Sequence, residues 1–347
     1  MTDATHELRA SWKRFLDGYA PLRGALYRYC RHLTRSPWDA EDLAQETLAR
    51  AFVTLAQLGA EPPNVQAWLF RVASNLWIDQ MRRAGRPFGS LGHGPEAQVS
   101  ADPQEVREAA GTLIARLSPQ ERAALVLKDV FDYSLEEIAE VLVTTPGAIK
   151  AALHRGRGRL QAEGEAAEAR ETVVAAPARA AVLDAFCAAF NARDLDRVTA
   201  LLTETAVVEV VGASTHYGRE AARRTVLPGM MFGSERMATS AETGIGLEPQ
   251  YVRNVLPVPA RLEVVRHRGE DLILSWYAHG QGHGDAGQGG AQDGGVVEAV
   301  RAVNRLEVSE DGSEITRLAN YFFNPEFIAE LCEELAVPYR INGHTYC

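Results

Sequence analysis

Hydrophobic and polar positions alternate most legibly between Ser134 and Leu160. Ser134 and Glu137 stand three residues apart, the capping-box spacing in which each side chain satisfies a free amide of the first helical turn. Leu135, Ile138, Ala139 and Leu142 then recur at helical spacing and leave Glu136, Glu137 and Glu140 on the polar side. Thr144 to Gly147 break the period. Thr145 and Pro146 form an N-cap and first-turn pair for a second helix, which carries Ile149 and Leu153 inward.

The other side of that second helix presents Lys150, His154 and Arg157, with Arg155 and Arg159 alongside. A cationic rod after a tight turn suits a phosphate-lined groove, and a helix, turn and second helix form the helix-turn-helix arrangement. An ordinary helical hairpin with a solvated basic face is the competing reading.

Upstream, Trp12, Phe15, Tyr19, Leu22, Leu26, Tyr29 and Leu33 define one buried stripe, with Pro21 either dividing two helices or kinking one. Ser36 and Pro37 open a helix whose inward residues run from Ala40 through Leu43, Ala44, Thr47, Leu48, Ala51 and Phe52 to Leu58, before Gly59 and Pro62-Pro63. Its opposite side holds Asp42, Gln45 and Glu46. In the helix that follows, Val65, Trp68, Leu69, Val72 and Leu76 are predicted inward, while Asn75, Asp79, Arg82 and Arg86, with Arg83 adjacent, share the other side. That row can hold phosphates and offer an amide to a base edge; alternatively, the arginines simply complement the helix dipole. Ala84 to Pro103 reads as a linker. Helical pattern returns near Glu105, and Ser118, Pro119 and Glu121 repeat the capping signature.

Past a charged, alanine-rich stretch from Glu163 to Ala176, a helical hairpin broken near Asn191 to Asp194 is predicted from Ala178 to Leu202. The period then shifts to strands: ETAVVEVVG, RLEVVRHRG, DLILSWYAHG and VVEAVRAVNRLEVSEDGSEITRLANYFF, with hairpin turns at His267 to Gly269 and Glu310 to Ser313. Helices against a curved antiparallel sheet make an α+β domain. Gly280 to Gly295 reads as a disordered loop, though His279, His283 and Asp285 leave metal binding as a minor alternative.

Composition narrows these readings. The 347 residues require two or three domains, and a 46% hydrophobic, 24% charged chain is an ordinary globular one. A net charge of -10 argues against indiscriminate nucleic-acid binding but not against cations gathered on particular helices. The four cysteines, Cys30, Cys187, Cys332 and Cys347, have no metal-ligand or CxxC spacing, which fits a reduced cytoplasm. No apolar signal core opens the chain and no membrane segment is expected.

In order, SPWDAEDLAQETLARAF, AWLFRVASNLWIDQMRR and LSPQERAALVLKDVFDYSLEEIAEVLVTTPGAIKAALHRGRGRL resemble the two blocks of extracytoplasmic-function (ECF) bacterial RNA polymerase sigma factors. The resemblance implies core RNA polymerase and promoter DNA as partners, in a cytoplasmic chain that is monomeric when free. It places Asp42, Gln45 and Glu46 at the polymerase, Asn75, Asp79, Arg82 and Arg83 at the minus-ten element, and Leu58 to Asn64 around a flipped base. Lys150, Ala151, His154 and Arg155 then lie nearest the minus-thirty-five groove, with Arg155, Arg157 and Arg159 as phosphate clamps. Val143 stands where the family has a turn glycine, Ala152 where it often has arginine, and Gly156 and Gly158 are expected to weaken the helix end by roughly 1 kcal/mol each.

AFNARDLDRVTALLTETAVVEVVG and ITRLANYFFNP are similar to the cone-shaped SnoaL-like fold. The fold class expected is multidomain: two all-α helical domains, the second with a helix-turn-helix, then an α+β SnoaL-like domain. The expected boundaries are 1–90, a linker at 91–108, 109–165 and 177–347. The resemblance implies regulation by the last domain, with a small-molecule ligand as a candidate partner and Asp184, Trp276, Tyr277, Asn320 and Tyr321 as pocket candidates; Glu209, His216 and His279 are weaker ones. No catalytic residue, metal or cofactor is assigned. Two other readings are a helix-turn-helix regulator acting without polymerase, and an isomerase or cyclase fused to a DNA-binding module.

Overall fold

The computed structural model describes residues 3–57, 62–83, 117–163, 177–233, 257–279 and 297–343. The expected linker, most of the base-pocketing loop (58–61), the 164–176 stretch and the glycine-rich 280–295 segment lie outside the described residues. The chain divides into two compact units, Met1–Glu171 and Thr172–Cys347.

In the first unit, α1 (Asp3–Thr34) runs through Pro21 without a break. It packs on α2 (Pro37–Leu55), which Ser36 caps, and on α3 (Val65–Arg83). The inward side of α3 differs from the predicted one. Leu69, Phe70, Ala73, Ser74 and Trp77 are buried, whereas Val65, Trp68, Val72 and Leu76 are only half-buried. The cause is a second neighbour: α3 meets α1 and α2 on one side and the next helices on another.

Those helices are α4 (Pro119–Asp129), α5 (Leu135–Val141) and α6 (Pro146–Glu163). Both expected capping boxes form, at Ser118 with Glu121 and at Ser134 with Glu137. This group does not stand apart from α1–α3. Arg122, 2% exposed, donates to the Leu33 carbonyl at 2.6 Å and lies 5.1 Å from the Trp77 ring centroid. Phe131 stands edge-on to Tyr29 and Phe70, which stack at 4.4 Å. Arg71 donates to the Glu140 carbonyl at 2.7 Å.

The second unit opens with α7 (Pro177–Asn191) and α8 (Leu195–Ala200), and β1 (Leu202–Val210) takes Leu202 from the predicted helix. Then come β2 (Ser214–Tyr217), α9 (Arg219–Arg224), α10 (Val226–Phe232), β3 (Arg261–His267), β4 (Glu270–His279), β5 (Val297–Val308), β6 (Ile315–Tyr321) and α11 (Pro325–Glu334). The sheet order is β2-β1-β6-β5-β4-β3. It is mixed rather than antiparallel, because β1 pairs in parallel with β6 while the other neighbours are antiparallel. Three consecutive antiparallel pairings from β3 to β6 return the chain to β1 in the same direction. Phe186, Phe190, Val198, Leu227 and Met231 pack against Val208, Ile273, Leu306 and Leu318 on one face. Strand alternation turns Tyr321 to the other face, where it meets Phe327 of α11 at 4.6 Å.

Val143 closes α5 with φ 51°, in the left-handed region. Thr144 N–H donates to Ala139 and Val143 N–H to Glu140, the six-to-one and five-to-two bonds of a Schellman cap. A β-branched residue is strained there. Val143→Gly should raise the stability of the protein by about 0.5–1 kcal/mol, read as a higher denaturant midpoint with an unchanged slope.

Candidate nucleic-acid interface

Two exposed rows share the first unit. On α3, Asn75, Asp79, Arg82 and Arg83 are exposed, and only a long 3.5 Å contact joins Arg82 to Asp79. On α6, Lys150, Ala151 and His154 are exposed while Ile149, Ala152 and Leu153 pack inward. Ala152 is 6% exposed, so an arginine there would have to displace core rather than point outward.

The arginines of α6 are engaged within the protein. Arg155 Nε and Arg159 Nη1 donate to opposite oxygens of Glu121, at 3.1 and 2.6 Å, and Arg157 donates to Asp129 at 2.6 Å. Glu121 is 3% exposed and also closes the α4 capping box. Burial would raise its pKa, but hydrogen bonds from Ser118, then Arg155 and the charge of Arg159, outweigh that and hold it below the usual glutamate range. Sequence spacing shows these arginines beside the groove-facing row, whereas the long-range carboxylate that fixes them is legible there only as a cap. Gly156 also differs from expectation. A Cβ there would come 2.8 Å from Leu125 Cδ1, so the glycine lets α6 approach α4, whereas Gly158 has open space.

On α2, Asp42 and Glu46 are exposed and Gln45 is half-buried. Glu41, between the inward and outward stripes, is fully buried, pairs with Arg23 at 2.6 Å and accepts from Gln45 at 2.7 Å. Gln45 is therefore partly committed to the helix itself.

The five pocket candidates of the second unit do not converge. Asp184 is exposed, and alternation along β4 and β6 sends Trp276 and Tyr321 to the face opposite Tyr277 and Asn320. Asn320 instead joins a buried chain that sequence reasoning missed: its Nδ2 donates to Asn304 at 2.7 Å, and Asn304 donates to Ser275 at 2.9 Å. Glu209 is paired with Arg317 at 2.9 Å, and His216 lies between Ser214 and Thr225 at 3.1 and 2.9 Å. Cys187 and Cys332 are buried, which pushes each thiol up to about 12. Among the described residues no acidic, histidine or cysteine group is arranged to hold a metal, and no helix is long and apolar enough to cross a membrane.

A depressed carboxylate contributes stability that is present above its unfolded pKa and lost as pH falls through the folded value. The Glu121 contribution should therefore disappear as pH drops from the ordinary glutamate pKa of 4.5 to below its lowered folded value. Glu121→Gln should lower the melting temperature at neutral pH and flatten this acid limb. Thermal melts at pH 7 and across the acid range measure both effects.

The family description Sigma-70 region 2 matches residues 19–87, and Sigma-70, region 4 matches residues 107–160. ECF RNA polymerase sigma factor SigG of Mycobacterium tuberculosis is 30% identical over 220 residues, 55% of this chain and 59% of SigG, so the chain spans under two thirds of that relative. The crystal structure of M. tuberculosis extracytoplasmic function sigma factor SigJ aligns with 90% of this chain and 97% of that chain at 20% identity, with a TM-score of 0.32. ECF RNA polymerase sigma factor SigW of Bacillus subtilis is 30% identical over 163 residues, 42% of this chain and 87% of SigW. With both regions matched in order and SigW covered over most of its length, the chain belongs to the ECF RNA polymerase sigma factors.

Proposed function

We propose that this chain directs core RNA polymerase to particular promoters in the cytoplasm and performs no bond-making chemistry of its own. Asn75, Asp79, Arg82 and Arg83 face the minus-ten element; Lys150, Ala151 and His154 face the minus-thirty-five groove, with Arg155 and Arg157 beside it; Asp42, Gln45 and Glu46 meet polymerase. The domains fall at 1–90, 109–165 and 177–347, joined by a linker at 91–108, and the last, SnoaL-like domain tunes the output of the other two. One observation carries this reading: the α3 and α6 rows are both exposed, on helices that lie within the two sigma-region matches.

Distance adds a requirement. A compact unit of about 170 residues is about 40 Å across. Elements some 25 base pairs apart are separated by about 80 Å, at about 34 Å per helical turn. Holding both at once therefore requires α4–α6 to leave α1–α3, breaking the Arg122 and Phe131 contacts.

Reconstituted transcription with core polymerase and promoter fragments tests the reading. The full chain should give promoter-dependent transcripts. Lys150→Ala should weaken upstream protection and reduce the salt slope by about one, with polymerase association intact. Asp42→Lys with Glu46→Lys should abolish association itself. A chain that never co-purifies with core polymerase refutes the proposal.

A further inference from the structure

One end of the second unit gathers cationic groups without the acids that would neutralise them. Arg193 ends α7 with φ 59°, in a Schellman cap where Asp194 N–H donates to Ala189 and Arg193 N–H to Phe190, both at 3.0 Å. Its side chain crosses the Phe190 ring at 5.9 Å and donates through Nη2 to the Pro259 carbonyl. Its Nη1 is buried with no hydrogen-bond partner. A buried donor left unpaired costs about 1–3 kcal/mol, and more when charged, so such a group points to something that belongs beside it.

Arg301 approaches Tyr277 from β5. Trp276 pairs with Val300 and Ser275 with Ala302, so Arg301 is the extra residue of a bulge, a device that re-aims a side chain. Its guanidinium lies 5.7 Å from the Tyr277 ring and 6.0 Å from Phe322. Asn342 Oδ1 accepts from Nε at 2.9 Å and Nη2 at 2.6 Å, holding one edge of the fork and leaving Nη1 outside that pair. The tail after α11 runs parallel beside β5, with Val300 N–H donating to Pro338 and Arg340 N–H to Val300, both at 2.9 Å. This register sets Arg340 next to Arg301, a like-charge cross-strand pair that is destabilising unless compensated. His279, two residues beyond Tyr277, has a buried Nε2 with no partner. Among the described residues no carboxylate pairs with Arg193, Arg301, Arg340 or His279, and Glu298 on the same strand is bound to Arg261 at 2.9 Å.

Tyr277 stands between the two sets. Its hydroxyl makes no hydrogen bond among the described residues, and it feels the charge of both Arg301 and Arg193. We propose that this end of the domain binds a small organic monocarboxylate, its head group on Arg301 and the Tyr277 hydroxyl within the field of Arg193 and Arg340, its apolar body against Phe322. A planar guanidinium with one edge free matches a carboxylate geometrically, and the aromatic rings favour an apolar remainder over a bare ion.

Isothermal titration of the full chain at fixed ionic strength tests this, with benzoate as probe and benzamide, sodium chloride and inorganic phosphate as comparators. Benzoate should bind saturably with one site per chain, and benzamide and chloride should not. Arg301→Gln should weaken benzoate at least tenfold. Arg340→Gln, on an exposed side chain without a side-chain partner, should weaken it severalfold with an unchanged circular dichroism spectrum. Arg266→Gln, on the β3–β4 hairpin, should bind as the parent does. Equal binding of benzoate and benzamide, binding of phosphate in place of benzoate, or parental affinity in Arg340→Gln would each overturn the proposal. Because the free chain is titrated, failure here leaves the polymerase assignment untouched.

Discussion

The buried cation Arg122 ties α4–α6 to α1 and α3. Taking a guanidinium out of water costs several kcal/mol unless other groups replace the lost hydration. Arg122 recovers part of that cost at the carboxyl end of α1, where the last carbonyls have no helical partner and the dipole is negative. The Trp77 face supplies more. Burial, and then the charge of Arg35, nevertheless lower the Arg122 pKa to about 10, so the residue stays charged at neutral pH but is held under electrostatic tension. The contact between the two groups of helices is made by the Arg122 cation, the Phe131 wedge and the Arg71 bond to the Glu140 carbonyl.

The same economy governs the cationic helix. The guanidiniums of Arg155, Arg157 and Arg159 are half-exposed, so the Arg157–Asp129 pair is screened and weak, while the buried Glu121 carboxylate holds Arg155 and Arg159 from the inner side. These pairs pre-position the guanidiniums without neutralising Lys150 and His154, which keep the outer row. Any anion approaching this helix would meet arginines already aligned, on a chain whose net charge is -10 overall.

Local chemistry made much of this legible. The two capping boxes, the turn between α5 and α6, the strand runs and both hairpin turns follow from residue types within a few positions of one another. What escaped depends on partners distant in sequence. Leu33 and Arg122 are 89 residues apart, and nothing near Arg122 indicates that it points inward. Gly156 looked like a weak point because its neighbour Leu125 lies on another helix. The α3 stripe was predicted for one packing surface, and the helix has two. The parallel β1–β6 pairing likewise required knowing how many hairpins intervene. Strand alternation alone excludes one expected grouping: adjacent residues of a strand face opposite ways, so Trp276 with Tyr277, or Asn320 with Tyr321, cannot line one pocket.

In the second unit the sheet carries both a bonded chain of buried polar groups and a cluster of cations with unpartnered nitrogens. Ser275, Asn304 and Asn320 lie on the helix-covered face of the sheet, yet each finds a partner in the next strand, and the chain of bonds fixes register across β4, β5 and β6. A few residues along the same face the accounting fails, because Arg193 and His279 each leave a buried nitrogen without a partner while Arg301 and Arg340 crowd together. Folding alone would favour a carboxylate or an apolar side chain at one of these positions. Keeping several cations around one tyrosine is consistent with an acid that arrives from outside the chain, so the strain at this end of the sheet would be relieved by a ligand rather than by the fold.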